Sequence, residues 1–136
     1  MADTPAQVQE LSWGWRGHQI TYSLVESSAP APARHRAVLC VHGFGACRRH
    51  WRHNLLALSS QSRVFAIDLL GFGGSSKPIS CLSGEALLPG GVRYGFDLWA
   101  EQLRDFCQEV IGLQQGLELQ LIGNSIGGVV VLNTAR

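Results

Sequence analysis

The chain has 136 residues, 46% apolar and 15% charged, with a formal net charge of +1. Such a composition fits a globular protein and not a disordered one, and near-neutrality leaves no electrostatic footprint for nucleic acid or an anionic membrane. No stretch approaches the ~20 apolar residues of a membrane span, and the start MADTPAQVQE lacks the basic and apolar regions of a secretory signal, so a cytoplasmic setting is expected.

Residues 1–10 read as a loose leader ahead of one domain over 11–136. Leu11 to Gly17 and Gln19 to Val25 alternate apolar and polar residues around Arg16-Gly17-His18, which predicts a hairpin of two half-buried strands. Ser27 to Arg36 is a Pro/Ala loop. Ala37-Val38-Leu39-Cys40-Val41 is a continuous apolar run, the pattern of a strand covered on both faces in a parallel sheet. His42-Gly43-Phe44-Gly45 ends it, and a helix is expected over about 49–60. Val64-Phe65-Ala66-Ile67 forms a second buried strand, closed by Asp68 and a glycine-rich loop.

Phe96, Trp99, Leu103, Phe106 and Val110 recur at spacings of three and four, which predicts a helix stopped by Gly112. A strand up to Ile122 follows, then a turn and a final small-residue helix. The order argues an α/β fold: an N-terminal hairpin, then a mainly parallel sheet flanked by helices. Sites in such sheets lie at the C-terminal ends of the strands. His42–Gly45, Asp68–Gly74 and Gly123–Gly128 all fall there, so three glycine-rich loops are expected on one edge.

Gly123-Asn124-Ser125-Ile126-Gly127-Gly128 carries most of the chemistry. A strand-to-helix turn this tight needs small neighbours, which Gly123 and Gly127 supply, and it pushes the Ser125 hydroxyl outward as a nucleophile. A serine also needs donors for the oxyanion that forms. The backbone N–H of Ile126, at the first turn of a helix, is one candidate. The N–H of Phe44 is the other, because Gly43 and Gly45 let the backbone approach a substrate.

Several residues admit more than one reading. His50 and His53 fit a solvated basic patch with Arg48, Arg49 and Arg52, against an anion or metal contact. Trp13, Trp15 and Trp99 read as packing, whereas Trp51 lies near enough to the loop after the first buried strand to touch a substrate. The four cysteines show no C-x-x-C pair and read as reduced thiols, with no metal site.

HGFGACRRHWRHN, DLLGFGGSSKP and GNSIGG, in that order, resemble the N-terminal half of an α/β-hydrolase. The W-R-G-H hairpin, LWAEQLRDF and the Asn before the serine are similar to cyanobacterial and plastid hydrolases of the pheophytinase-like group. The resemblance implies a serine hydrolase with no cofactor, acting through an acyl-enzyme on a small hydrophobic carboxylic ester, with a peripheral place at photosynthetic membranes if the subgroup holds. It also implies that Ser125 is the nucleophile, that Phe44 and Ile126 are oxyanion donors, that His42 shapes the oxyanion loop without being the base, and that Asp68 holds its own turn.

The family's triad runs Ser, Asp or Glu, then His, and the eleven residues after Ser125 contain neither acid nor histidine. The expectation is therefore a fragment truncated after the nucleophile elbow and inactive alone. One alternative is a non-catalytic remnant or binding module on a hydrolase scaffold. Another is a Rossmann unit with Asp68 as the ribose-binding acid, although the third glycine of that pattern fails at Arg48.

Overall fold

The computed structural model describes residues 7–30 and 35–136. Residues 1–6, most of the expected leader, and 31–34 of the Pro/Ala loop lie outside the described residues. Five strands form one sheet in the order β1-β2-β4-β3-β5. β1 (Gln9–Trp15) and β2 (His18–Val25) are the expected hairpin. Its two-residue turn, Arg16-Gly17, has φ of 51° and 79°, the doubly positive turn whose twist matches paired strands. β1 starts at Gln9, so Gln9 and Glu10 pair with Leu24 and Ser23 instead of belonging to a loose leader.

β3 (Arg36–Val41), β4 (Arg63–Ile67) and β5 (Glu118–Gly123) are parallel to one another, while β2 lies antiparallel to β4. The sheet is thus mixed: parallel where it carries the glycine loops, antiparallel at the hairpin. The apolar run of β3 is buried on both sides, as its pattern demands. Ala37, Leu39 and Val41 face a core with Phe65, Trp99, Leu103, Phe106 and Val130, and Val38 and Cys40 face a second core with Val64, Ala66 and Leu55.

The helix expected over 49–60 is broken. A 3₁₀ turn, Arg48–Trp51, precedes a single α-turn, α1 (Leu55–Leu58). The N–H groups of His50, Arg52 and Asn54 reach back only three residues, to the carbonyls of Cys47, Arg49 and Trp51, and the hydroxyls of Ser59 and Ser60 donate to the carbonyls of Leu56 and Ala57, closing the segment early. Trp51 is partly buried and packs on the second core, as do Leu58 and Ile122.

α2 (Phe96–Phe106) continues as a π-helical turn, Cys107–Ile111, and ends at Gly112, where φ is 81°. Its apolar face fills the first core. Its polar face clamps the hairpin: Trp13 donates to Glu109 (2.8 Å), Trp15 to Asp105 (2.7 Å) and Arg16 to Glu101 (2.9 Å). α3 (Ile126–Thr134) follows the elbow and packs on α2 and β5. No helix among the described residues is long and apolar enough to cross a membrane.

Candidate active site

β3, β4 and β5 deliver their C-terminal loops to one edge, as parallel strands of adjacent register must. β5 ends at Gly123 and α3 begins at Ile126, so Asn124 and Ser125 alone make the turn. Ser125 takes φ 56° and ψ −123°. An L-residue seldom adopts positive φ, and such a conformation typically costs about 1–3 kcal/mol. Neighbouring bonds hold it there: Asn124 N–H donates to Val41 O (3.1 Å), and Gly127 N–H to Asn124 O (2.9 Å).

The flanking glycines are sterically required. A Cβ on Gly123 would overlap the backbone of Gly127, and one on Gly127 would overlap the carbonyls of Val41 and His42. The serine is exposed. Among the described residues, no hydrogen bond engages the N–H of Ile126 or of Phe44. Gly43 lies against the elbow. A Cβ there would stand 3.1 Å from Ser125 Cβ, so the β3 loop and the serine are in near contact. Phe44 is 76% exposed and meets Phe72 edge-on, with ring centroids 5.5 Å apart.

His42 is fully buried, and both ring nitrogens are occupied. Nε2 accepts the N–H of Leu69 (3.0 Å), which places the ring proton on Nδ1, donated to Gly43 O (2.7 Å). Burial pushes its pKa below the ordinary value, against the opposing pull of the Gly43 carbonyl and the charge of Asp68. A neutral imidazole with no free lone pair cannot serve as a general base. It is a strut between the β3 and β4 loops.

Asp68 is also fully buried. Its carboxylate accepts Thr21 Oγ1 (2.5 Å), the N–H groups of Arg48 (2.6 Å) and Gly74 (2.9 Å), and Arg48 Nη1 (2.5 Å). Burial alone would raise its pKa, but these donors and the guanidinium outweigh it and hold the carboxyl below the usual range. Buried and already holding four donors, Asp68 is not available to a ribose, and the Rossmann reading fails at this residue.

Arg48 does not belong to a solvated patch. Its side chain is 15% exposed and bridges Asp68 and Glu10, with Nε 2.9 Å from the latter's carboxylate. Arg49, His50, Arg52 and His53 are exposed, and none shares a hydrogen bond with Ser125 among the described residues. No group of three or more His, Cys, Asp or Glu among those residues could hold a metal.

Two further contributors were invisible to motif reading. Buried Gln102 accepts Leu70 N–H (2.9 Å) and donates to Asp68 O (3.3 Å), tying α2 to the β4 loop. Its signal is a glutamine on the apolar stripe of a helix, three residues after Trp99. Glu10 reaches Arg48 and accepts Ser23 Oγ (2.8 Å), its cross-strand neighbour.

A family model described as "Alpha/beta hydrolase family" matches residues 38–136. A 1-acylglycerol-3-phosphate O-acyltransferase of Arabidopsis thaliana is 36% identical over 101 residues, covering 72% of this chain and 21% of that protein. The chloroplastic pheophytinase of the same plant is 32% identical, covering 71% and 23%. Among solved structures, a membrane phospholipase A superposes with a TM-score of 0.71 at 30% identity, over 94% of this chain and 35% of that one. The chain therefore spans a fifth to about a third of the length of these relatives. Strand order, loop placement and the family match agree: the chain belongs to the alpha/beta hydrolase family.

Proposed function

We propose that the chain carries the nucleophile and oxyanion half of a serine hydrolase that acts on a carboxylic ester. In this reading, Ser125 attacks the acyl carbon, and the N–H groups of Ile126 and Phe44 receive the oxyanion. The observation that carries it is the exposed Ser125 held at φ 56°, immediately ahead of α3, since such strain persists where surrounding structure imposes it and clusters at active sites. The free N–H of Ile126 at the positive end of a helix adds a donor aimed at developing negative charge. The O-acyltransferase and phospholipase among the relatives fit acyl chemistry, and the pheophytinase fits a hydrophobic ester.

Residues 126–136 contain no acid or histidine, and His42 is committed elsewhere. The 136-residue polypeptide is therefore expected to turn over esters slowly or not at all, and a non-catalytic role is the second reading. Chemical rescue separates the two. Imidazole supplied in solution should accelerate labelling by a fluorophosphonate, with the adduct on Ser125 and lost in Ser125→Ala. Labelling that ignores imidazole, or an adduct elsewhere, refutes the nucleophile assignment. Rapid turnover of p-nitrophenyl butyrate without rescue, abolished by Ser125→Ala, refutes the expected inactivity.

A further inference from the structure

The loop that follows β3 is held at its two ends by two consecutive residues of the β4 loop. At its start, His42 Nε2 receives Leu69 N–H (3.0 Å). At its end, Arg48 gives Asp68 both its backbone N–H (2.6 Å) and its Nη1 (2.5 Å). Between the anchors, Gly45 sits at φ 72°, Ala46 N–H reaches Gly43 O at 3.2 Å, and Phe44 is largely in solvent. Gly43 O, in the peptide that carries the Phe44 N–H, also accepts His42 Nδ1–H (2.7 Å), and Cys47 O accepts His50 N–H (3.0 Å). His42 thus fixes the start of the span and the Gly43–Phe44 peptide, while the far end is held through Arg48.

The anchors differ in kind. His42 is a neutral strut sealed in the core. Arg48 is a charged fork with a second prong: Nε meets Glu10, which is half in solvent and is itself held by Ser23. A guanidinium presents its donors in a fixed plane, so satisfying Asp68 and Glu10 together fixes its orientation as well as its distance.

We propose that Arg48 is a positioning residue: by bridging Asp68 to Glu10, it holds the far end of residues 43–47 and so, together with His42, sets where the Phe44 N–H stands beside Ser125. The catalytic meaning rests on the reading of Phe44 as an oxyanion donor, whereas the mechanical claim stands on the geometry alone. Glu10 thereby becomes part of the site's support, although it lies in the first strand.

Amide hydrogen exchange followed by NMR on the 136-residue chain tests this. Arg48→Met should speed exchange at Ala46 and at position 48 by about tenfold or more, the factor expected on losing a charge-assisted hydrogen bond. The protected amides of β3 and β4 should keep their rates. Arg48→Lys, which can meet Asp68 but has no fork for Glu10, should give an intermediate change, and Glu10→Gln should resemble it. Unchanged exchange at Ala46 in Arg48→Met overturns the proposal, as does a uniform rise across β3 and β4. If Arg48→Met does not fold, wild-type exchange at Ala46 in both Arg48→Lys and Glu10→Gln overturns it instead. Ser125→Ala keeps its Cβ and should leave every rate as it was, so a failure of the ester-hydrolase reading is a separate result.

Discussion

Gly127 and Gly128 are adjacent in the first turn of α3, and replacing each by alanine sets two effects against each other. Helix propensity favours alanine over glycine by roughly 0.8–1.0 kcal/mol in a helix interior. Were propensity decisive, both substitutions would stabilise the protein. The geometry separates them. At Gly128 the nearest atom to an added Cβ is Gly123 O at 3.6 Å, an ordinary contact, so a gain of up to about 1 kcal/mol is expected. At Gly127 the same Cβ would lie 2.5 Å from His42 O and closer still to Val41 O. Both obstacles are backbone atoms of the strand end and cannot rotate away. Overpacking of this kind costs about 1–3 kcal/mol, the upper end applying where backbone must shift. Gly127→Ala is therefore expected to lose about 2 kcal/mol net, placing the two variants roughly 3 kcal/mol apart. Urea unfolding with a shared m-value measures the difference as a shift in midpoint. Gly127→Ala as stable as Gly128→Ala would refute the claim that β3 and α3 meet backbone to backbone at the elbow.

Other expectations can be checked on the same material. Ser125→Gly should relieve the positive φ and stabilise the fold by about 1 kcal/mol, while removing the fluorophosphonate adduct; a loss of stability would contradict the strain. His42 is held below its ordinary 6.5, so the unfolded chain takes up that proton first, and stability should fall as pH drops below about 6.5. Asp68, held below its ordinary 3.8, adds a second loss as pH falls through its still lower folded value. Denaturant midpoints across pH 7 to 5 that do not change, or the same slope in His42→Gln, would count against the first step. Burial pushes the Cys40 thiol up to about 12 and Cys107 up to about 11, and Cys81 is 5% exposed. Only half-buried Cys47 should react quickly with a thiol reagent in the native state, and Cys47→Ser should abolish that fast phase.

The parts of this fold legible from residues alone were those with a local cause. The apolar run at 37–41, the helical spacing from Phe96 and the glycines around Ser125 each announce an element within a few residues of themselves. The supports of the site have no such local cause. Arg48 looks like one of several basic residues in RRHWRH, and only the fold brings Thr21, Glu10 and Asp68 to it. Glu10 looked like leader because nothing nearby reveals that Ser23 will stand opposite it. The helix over 49–60 gave way to a 3₁₀ turn and a single α-turn, with His50, Arg52 and Asn54 bonding back only three residues. Its apolar spacing was real and was absorbed by the second core.

The contacts that clamp the first hairpin to α2 also order events in time. Trp13, Trp15 and Arg16 find their acidic partners 96, 90 and 85 residues further along the chain. At synthesis rates of about 5–20 residues per second, the hairpin emerges roughly 5–20 s before the helix that will hold it. An isolated two-stranded hairpin is marginal in water. During that interval its two tryptophans lack their final cover, and the nascent chain offers a sticky hairpin to whatever meets it first. Contacts this remote in sequence also slow folding itself. The same indole–carboxylate bonds that fasten the finished hairpin thus mark the interval in which a chaperone would matter most.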